Sequence, residues 1–429
     1  MQEAEAPKFF IKTFGCQMNM EDSAELARLL LGMGMREAGS FDAADFVHIN
    51  TCSIREKAED KFFSYLGKLR QLKARRGRPV IGVGGCTPEL IDIAADHPEV
   101  DYVAGSKHPS EYMEKIRAVL LSEFPELEAA VGIDAGSSIS SFHTVIRGCS
   151  NYCTYCVVPY ARGPEESLLP PDIADAVRIK VDAGAREIIF LGQNILAYGY
   201  DLQPRLNLLD VFSAVHDIEG LKRIRFVTSH PKWVSEEFVS GLRDFPKVCE
   251  HFHVPFQSGD DVVLKRMNRG YTSGEYIDKI KMIREYFPGA GITADVIVGF
   301  AGETEEQFSN TMKLAGEIRA DQLYMFKYSV RSGTRAADWG DGVEVQEKKD
   351  RLRRLADLQG EISRSINEAL IGSEQEVMIT DPCGDNRYKG RTRTNKITDF
   401  TAEAEHAAGD VAGVLVTGAT PHALQGKSV

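Results

Sequence analysis

Gly148-Cys149-Ser150-Asn151-Tyr152-Cys153-Thr154-Tyr155-Cys156-Val157-Val158-Pro159-Tyr160 is the stretch that decides how this chain is read. Its three cysteines stand at spacing C-x3-C-x2-C, with Tyr155 directly before the last. Thiolate is the usual ligand of iron–sulfur clusters, so Cys149, Cys153 and Cys156 can each take one iron of a 4Fe-4S cube. One iron of the cube is then left open to a substrate or cofactor. A closed structural zinc site would need a fourth ligand, and zinc loops usually carry two C-x2-4-C pairs, whereas this loop holds three cysteines in one run.

This spacing, with Tyr155 before the third cysteine, resembles the radical S-adenosylmethionine (SAM) superfamily. The resemblance implies that the open iron chelates the amino and carboxylate groups of SAM. It also implies that an electron then cleaves SAM to methionine and a 5′-deoxyadenosyl radical. Downstream, six strand–helix units are expected, with strands at residues 143–147, 187–191, 223–228, 251–255, 292–298 and 322–326. Six units cannot close an eight-stranded barrel, so a partial (β/α)6 barrel is expected over residues 142–371. Its lateral opening suits a macromolecular substrate.

Polar residues gather after these strands, at the face where barrel chemistry sits. Tyr155, Gln193, Asn194, Ser229, Gln257 and Arg331 are the candidate SAM contacts, and the resemblance singles out Gln193, Ser229 and Gln257. Amides and hydroxyls are the neutral hydrogen-bonding partners that a chelated SAM needs. Ser229 and Glu303 also read as a helix cap and a first-turn acid. His230 and His253 read as pocket histidines, because the clusters already have enough thiolates.

Upstream, short apolar runs at residues 9–13, 46–50, 80–84 and 102–104 alternate with helical patterns at 21–32, 56–75, 88–96 and 109–122. Alternation of this kind implies an N-terminal α/β domain over residues 1–131, a doubly wound parallel sheet with helices on both faces. Cys16, Cys52 and Cys86 each fall just past one of the first three strands, at the edge where open sheets bind ligands. Gly15 and Gly84-Gly85 permit tight turns there. These three cysteines are the candidate ligands of a second 4Fe-4S cluster. Cys249 and Cys383 have no partners at ligand spacing and read as ordinary residues. The Gly/Ser-rich residues 132–141 read as a linker.

Two triads narrow the family. Thr13-Phe14-Gly15-Cys16-Gln17-Met18-Asn19, the run from Asn50 through Cys52-Ser53-Ile54-Arg55-Glu56-Lys57 to Ala58, and Gly84-Gly85-Cys86 resemble the methylthiotransferase family. Within it, Gln17-Met18-Asn19 and Ser53-Ile54-Arg55-Glu56-Lys57 resemble the branch that methylthiolates C2 of N6-isopentenyladenosine at position 37 of tRNA. Sister enzymes act on N6-threonylcarbamoyladenosine in tRNA or on a ribosomal-protein aspartate. The resemblance implies that one SAM methylates a sulfur held at the Cys16/Cys52/Cys86 site. A second SAM, cleaved at the Cys149/Cys153/Cys156 site, activates C2. All six cysteines thus enter the catalytic and metal-binding set. The expected partners are a tRNA anticodon loop and a low-potential electron donor such as flavodoxin or ferredoxin. The chain departs from the family pattern at Pro164 to Leu168, where two arginines are usual, at Ile195-Leu196, and at Ala301, where proline is usual.

Residues 345–370 read as a long amphipathic helix. Beyond Gly372, alternating runs suggest a small antiparallel β-barrel over residues 372–429. In the family this position holds a TRAM domain, an OB-like RNA-binding barrel. Its basic run offers Arg387, Lys389, Arg391 and Arg393 as RNA contacts. A second basic run spans residues 68–78.

Composition sets the bounds. The chain has 429 residues and a net charge of -12, which by itself argues against a nucleic-acid partner, although basic patches act locally. No apolar run approaches the roughly 20 residues of a membrane span, so no membrane partner is expected. Residues 1–7 are acidic and carry no signal-peptide core. Eight cysteines in a chain this long do not form a disulfide framework, and clusters need reduced thiols. A cytoplasmic monomer is expected.

Overall fold

The computed structural model describes residues 6–52, 56–107, 109–125, 127 and 138–429. Ser53-Ile54-Arg55 and most of the expected linker lie outside the described residues. The chain divides into two compact units. The first comprises Met1–Gly136, Arg147–Tyr152 and Cys156–Glu166; the second comprises Ser137–Ile146, Cys153–Tyr155 and Ser167–Val429.

The first unit runs β1 (Lys8–Thr13), α1 (Gln17–Gly32), β2 (Arg36–Glu37), β3 (Phe46–Thr51), α2 (Glu56–Arg76), β4 (Val80–Gly85), α3 (Ile93–Asp96), β5 (Tyr102–Gly105) and α4 (Pro109–Glu123). Its sheet is parallel throughout, in the order β2-β1-β3-β4-β5. Every residue of β3 and β4 is buried, as in a parallel strand covered on both faces. Leu26 and Leu30 of α1 share a core with Ile116 and Leu120 of α4. Phe62, Leu66 and Leu69 of α2 share another with Ile93 of α3, so the sheet is doubly wound. The chain leaves β1 in one direction for β2, then builds the other way from β3. That reversal puts a topological switch point between β1 and β3, where ligands bind in such sheets.

Two helices of this unit differ from the sequence expectation. Helix α1 starts at Gln17, because Cys16 takes the N-cap position in extended conformation. Residues 88–96 form a 3-10 turn (Thr87–Glu89) and the short α3 in place of one helix. Asp92 accepts from the Ala95 N–H and restarts the helix there.

Next come β6 (Ser140–Thr144), β7 (Ile146–Arg147), α5 (Val158–Arg162) and β8 (Glu166–Ser167). The second unit continues with α6 (Pro170–Asp182), β9 (Glu187–Leu191), α7 (Leu208–Val215), β10 (Arg223–Phe226), α8 (Glu236–Gly241) and β11 (His251–His253). It ends its barrel part with α9 (Asp261–Arg266), α10 (Ser273–Tyr286), β12 (Gly291–Val298), α11 (Glu305–Ile318), β13 (Gln322–Lys327) and α12 (Val345–Glu368). Parallel ladders join β6-β9-β10 and β11-β12-β13, and a parallel bridge between Ile224 and Val248 links the two halves. Among the described residues no ladder returns from β13 to β6, so the six strands form a partial barrel. Ile188, Phe190, Ile224, Phe226, Phe252, Ile292 and Val296 fill its core.

The chain finishes in β14 (Glu374–Pro382), β15 (Arg387–Thr392), β16 (Ile397–Thr401), β17 (Val411–Ala419) and β18 (Ala423–Ser428), a closed barrel. Its pairings are antiparallel except β16 with β18, which run parallel. Parallel pairing there lets the last strand close the ring onto both β16 and β17. This barrel is fixed to β10 by charged side chains. Arg223 donates to the Arg391 carbonyl at 2.7 Å and to Glu376 at 2.8 Å. Arg225 donates to the carbonyls of Thr392 and Arg393 and to Glu187. No helix among the described residues is long and apolar enough to cross a membrane.

Candidate cluster sites and cofactor pocket

At the carboxyl edge of the first sheet, Cys16 follows β1, Cys52 follows β3 and Cys86 follows β4. The first two therefore flank the switch point. Gly15 adopts φ +122°, and a Cβ there would fall 2.4 Å from the Cys52 Cβ. Only glycine lets the β1 turn come this close to Cys52. Asn19, fully buried, holds the edge together. Its Nδ2 donates to the carbonyls of Phe14 (2.9 Å) and Thr51 (2.7 Å), and its Oδ1 lies 3.8 Å from the Cys16 sulfur. Cys52 and Cys86 are buried, while Cys16 is partly exposed. The Ser106 hydroxyl lies 3.8 Å from the Cys86 sulfur.

The strongest contact to this triad comes from Arg162. Its Nε donates to the Cys86 sulfur at 3.3 Å, and its Nη2 donates to Asn19 at 2.8 Å and to Asp22 at 3.4 Å. Burial works against the guanidinium charge, but Cys86, Asp22 and Cys16 outweigh it and hold the pKa above the ordinary value. Among the described residues no three or more His, Cys, Asp or Glu side chains converge tightly enough to hold one metal ion. Ligands of a cube need not converge in that way, since each takes a different iron. Three thiols at one sheet edge, with Arg162 and Ser106 donating to the Cys86 sulfur, suit such a group.

Cys149, Cys153 and Cys156 occupy the loop between β7 and α5. In the first unit, the Cys149 N–H bonds the Gly163 carbonyl at 3.0 Å, and the Ser150 N–H bonds Glu165 at 2.7 Å. Gly148 adopts φ +77°, and a Cβ there would meet the Pro164 carbonyl at 1.7 Å. Asn151 donates to the Cys149 sulfur at 3.3 Å. In the second unit, Thr154 is stitched to Arg266 and Met267. Arg269 Nη1 donates to the Cys153 sulfur at 3.3 Å and to the Tyr155 hydroxyl at 3.5 Å. Its Nη2 bonds the Pro255 carbonyl at 2.7 Å, and its Nε bonds the Tyr271 hydroxyl at 3.1 Å.

Among the candidate SAM contacts, Asn194 and Ser229 sit side by side at the ends of β9 and β10. Asn194 Oδ1 accepts from the His230 N–H at 3.1 Å. The Asn194 Nδ2, Ser229 Oγ and His230 Nε2 are buried without a partner among the described residues. Three orphaned polar atoms in one place fit a polar cofactor. Burial first, then Arg269 and Lys232, push the His230 ring down to about 2, so it is neutral. Thr228 (φ 69°) and Gln257 (φ 68°) adopt left-handed backbone at these strand ends, a strain that clusters at functional sites. Gln193 and Arg331 also follow strands β9 and β13. Glu303 lies elsewhere in role: it accepts from the Gly299 N–H and from Arg351 and braces α12.

Arg387 and Lys389 of β15 are exposed, and Arg391 is half-buried. Arg393 pairs with Glu250 at 2.7 Å. In the first unit, an open cleft of about 570 Å³ is lined by Lys12, Lys61, Lys68, Phe14 and Tyr65, with Asp60 among them. Sequence reasoning missed Arg162 and Arg269, and it gave Asn19 no role.

Residues 144–315 match the Radical SAM superfamily, and residues 8–105 match the Uncharacterized protein family UPF0004. The chain is 38% identical to the tRNA-2-methylthio-N(6)-dimethylallyladenosine synthase of Acetivibrio thermocellus, over 98% of this chain and 91% of the relative. It is 40% identical to the enzyme of that name from Pelotomaculum thermopropionicum, over 96% and 95%. The chain belongs to this synthase family. Likeness in fold alone reaches further. The radical SAM methyltransferase TsrM from Kitasatospora setae superposes with TM-score 0.56 at 12% identity, over 77% of this chain and 74% of that one. The cobalamin-dependent radical SAM enzyme OxsB gives 0.51 at 12% identity, over 82% and 56%. Family membership makes SAM and 4Fe-4S clusters the cofactors, and the partial barrel and the TRAM-like barrel agree with it.

Proposed function

We propose that this chain methylthiolates C2 of N6-isopentenyladenosine at position 37 of tRNA. The observation that carries the proposal is identity of 38–40% to the synthase family across nearly the whole chain. Residues 1–131, 142–371 and 372–429 serve as sulfur-holding, radical-generating and RNA-binding parts.

Cys149, Cys153 and Cys156 would hold one cube, and Cys16, Cys52 and Cys86 the other. When bound, the clusters and SAM supply a radical that can remove an inert C2 hydrogen and an open iron where sulfur can be held. The chain's own residues bind and orient. Ser229 and Asn194 would offer SAM their hydroxyl and amide, and Tyr155, Gln193, Gln257 and Arg331 are assigned to the same cofactor site. Arg269 and Asn151 direct hydrogen bonds at the Cys153 and Cys149 sulfurs, and Arg162 does so at Cys86. Such outer partners orient ligands and tune the metal group. The exposed Arg387 and Lys389 meet tRNA phosphates, and Lys12, Lys61 and Lys68 supply a second basic surface. The target base is splayed out of the anticodon loop, as single-stranded RNA targets are. A flavodoxin- or ferredoxin-type donor reduces the protein, which works as a cytoplasmic monomer.

The test is anaerobic reconstitution, reduction, and incubation with SAM and tRNA carrying isopentenyladenosine, followed by nucleoside mass analysis. The 2-methylthio nucleoside should appear. If 5′-deoxyadenosine forms while the nucleoside stays unchanged, the substrate assignment is wrong.

A further inference from the structure

We infer that Arg162 is a positioning residue that tunes the Cys16/Cys52/Cys86 cluster and anchors to it the peptide bearing Cys149 and Cys156. The inference rests on the reading of those three cysteines as cluster ligands. Nothing in the local sequence marks Arg162 for this task, since it sits 76 residues from Cys86.

Arg162 as a residue is 4% exposed. Four features bear on its role. Nε faces the Cys86 sulfur at 3.3 Å. Nη2 is shared by Asn19 and Asp22. Nη1 is buried and has no partner among the described residues. Asp22 also accepts from Arg147 at 2.8 Å, so one carboxylate clamps arginines from both ends of the cysteine loop.

A buried cation needs compensation, and Asp22 alone would provide it. The contact with Cys86 and the free Nη1 go beyond that need. Hydrogen bonds and positive charge on cluster sulfurs raise reduction potential, because they favour the electron-rich state. The Nη1 group, unpartnered among the described residues, leaves N–H donors for a further electron-rich acceptor, such as an inorganic sulfide of the cube. Arg162 also ends α5, six positions after Cys156, and the next residue, Gly163, accepts from the Cys149 N–H. The side chain that touches Cys86 is therefore held by the same short segment that presents Cys149 and Cys156.

The test uses the full chain, reconstituted anaerobically, with redox titration followed by electron paramagnetic resonance. The signal of interest is assigned in a Cys149→Ala, Cys153→Ala, Cys156→Ala background. Arg162→Gln should lower the midpoint potential of that cluster and weaken iron retention there by roughly 10- to 100-fold. Arg162→Lys keeps the charge but loses the fork, so it should retain iron and show a smaller shift in the same direction. Parental iron content and parental potential in Arg162→Gln would overturn the inference. If that variant does not fold, Arg162→Lys decides, and an unshifted potential overturns it. An iron-free triple-alanine background would overturn the cluster reading beneath it as well.

Discussion

Arg269 Nη1 lies 3.3 Å from the Cys153 sulfur, with the whole guanidinium buried. The same side chain ties the Pro255 carbonyl, Tyr271 and Tyr155 around the loop. Replacing it with methionine removes the donor while keeping bulk. Outer partners of metal ligands cost 10- to 100-fold when lost, so Arg269→Met should lower SAM cleavage per bound iron by about that factor. Quantifying 5′-deoxyadenosine against iron content checks this. Unchanged cleavage would make Arg269 a packing residue only.

Among the described residues the Ser229 hydroxyl has no partner to lose. Ser229→Ala should therefore leave thermal stability unchanged or slightly raised, because a buried unpaired polar group is costly. SAM affinity should fall by roughly 3- to 10-fold, the worth of one neutral hydrogen bond. Calorimetry with SAM and a melting curve separate the two effects.

Glu187 and Arg225 pair at 2.6 Å and are both buried. Arg225 also holds the carbonyls of Thr392 and Arg393 on the terminal barrel. Glu187→Ala strands a buried cation and should cost about 3–5 kcal/mol. Cleavage within residues 372–429 should become faster under limited proteolysis. The exposed pair Arg353–Asp350 makes a fair comparison, since breaking a solvent-screened pair should leave stability nearly unchanged.

His48 bridges the hydroxyls of Tyr102 and Tyr112, each at 2.7 Å, deep in the first unit. Burial pushes its ring down to about 3. An unfolded histidine titrates near 6.5, so between these values the unfolded chain binds the extra proton. The stability that His48 contributes is complete above about pH 6.5 and is lost as the pH falls toward 3. Lowering the pH of the cluster-free chain from 7 to 5 should cost up to about 2 kcal/mol through this ring. His48→Gln should flatten that part of the pH dependence in urea unfolding.

Much of the fold was legible because parallel strands buried on both faces read as apolar runs. Those runs alone put Cys16, Cys52 and Cys86 at one sheet edge, and the six barrel strands followed in the same way. Arg162 and Arg269 were not legible. They reach Cys86 and Cys153 across 76 and 116 residues, and such contacts leave no local pattern. The run 387–396 was ambiguous for a different reason. A basic strand looks the same whether it meets RNA or protein, and here Arg393 pairs with Glu250 and Lys396 with Asp321. Residues 88–96 had helical composition, yet Asp92 caps a second start within them.

Iron content per chain, with the reaction products, tests the two-triad account most directly. The parent chain should bind about eight irons, and each triple cysteine-to-alanine variant about four. Cys16→Ala, Cys52→Ala, Cys86→Ala should still release 5′-deoxyadenosine while leaving isopentenyladenosine tRNA without a methylthio group. A variant of that triad that keeps all its iron, or that still forms the 2-methylthio nucleoside at the parental rate, would contradict the account.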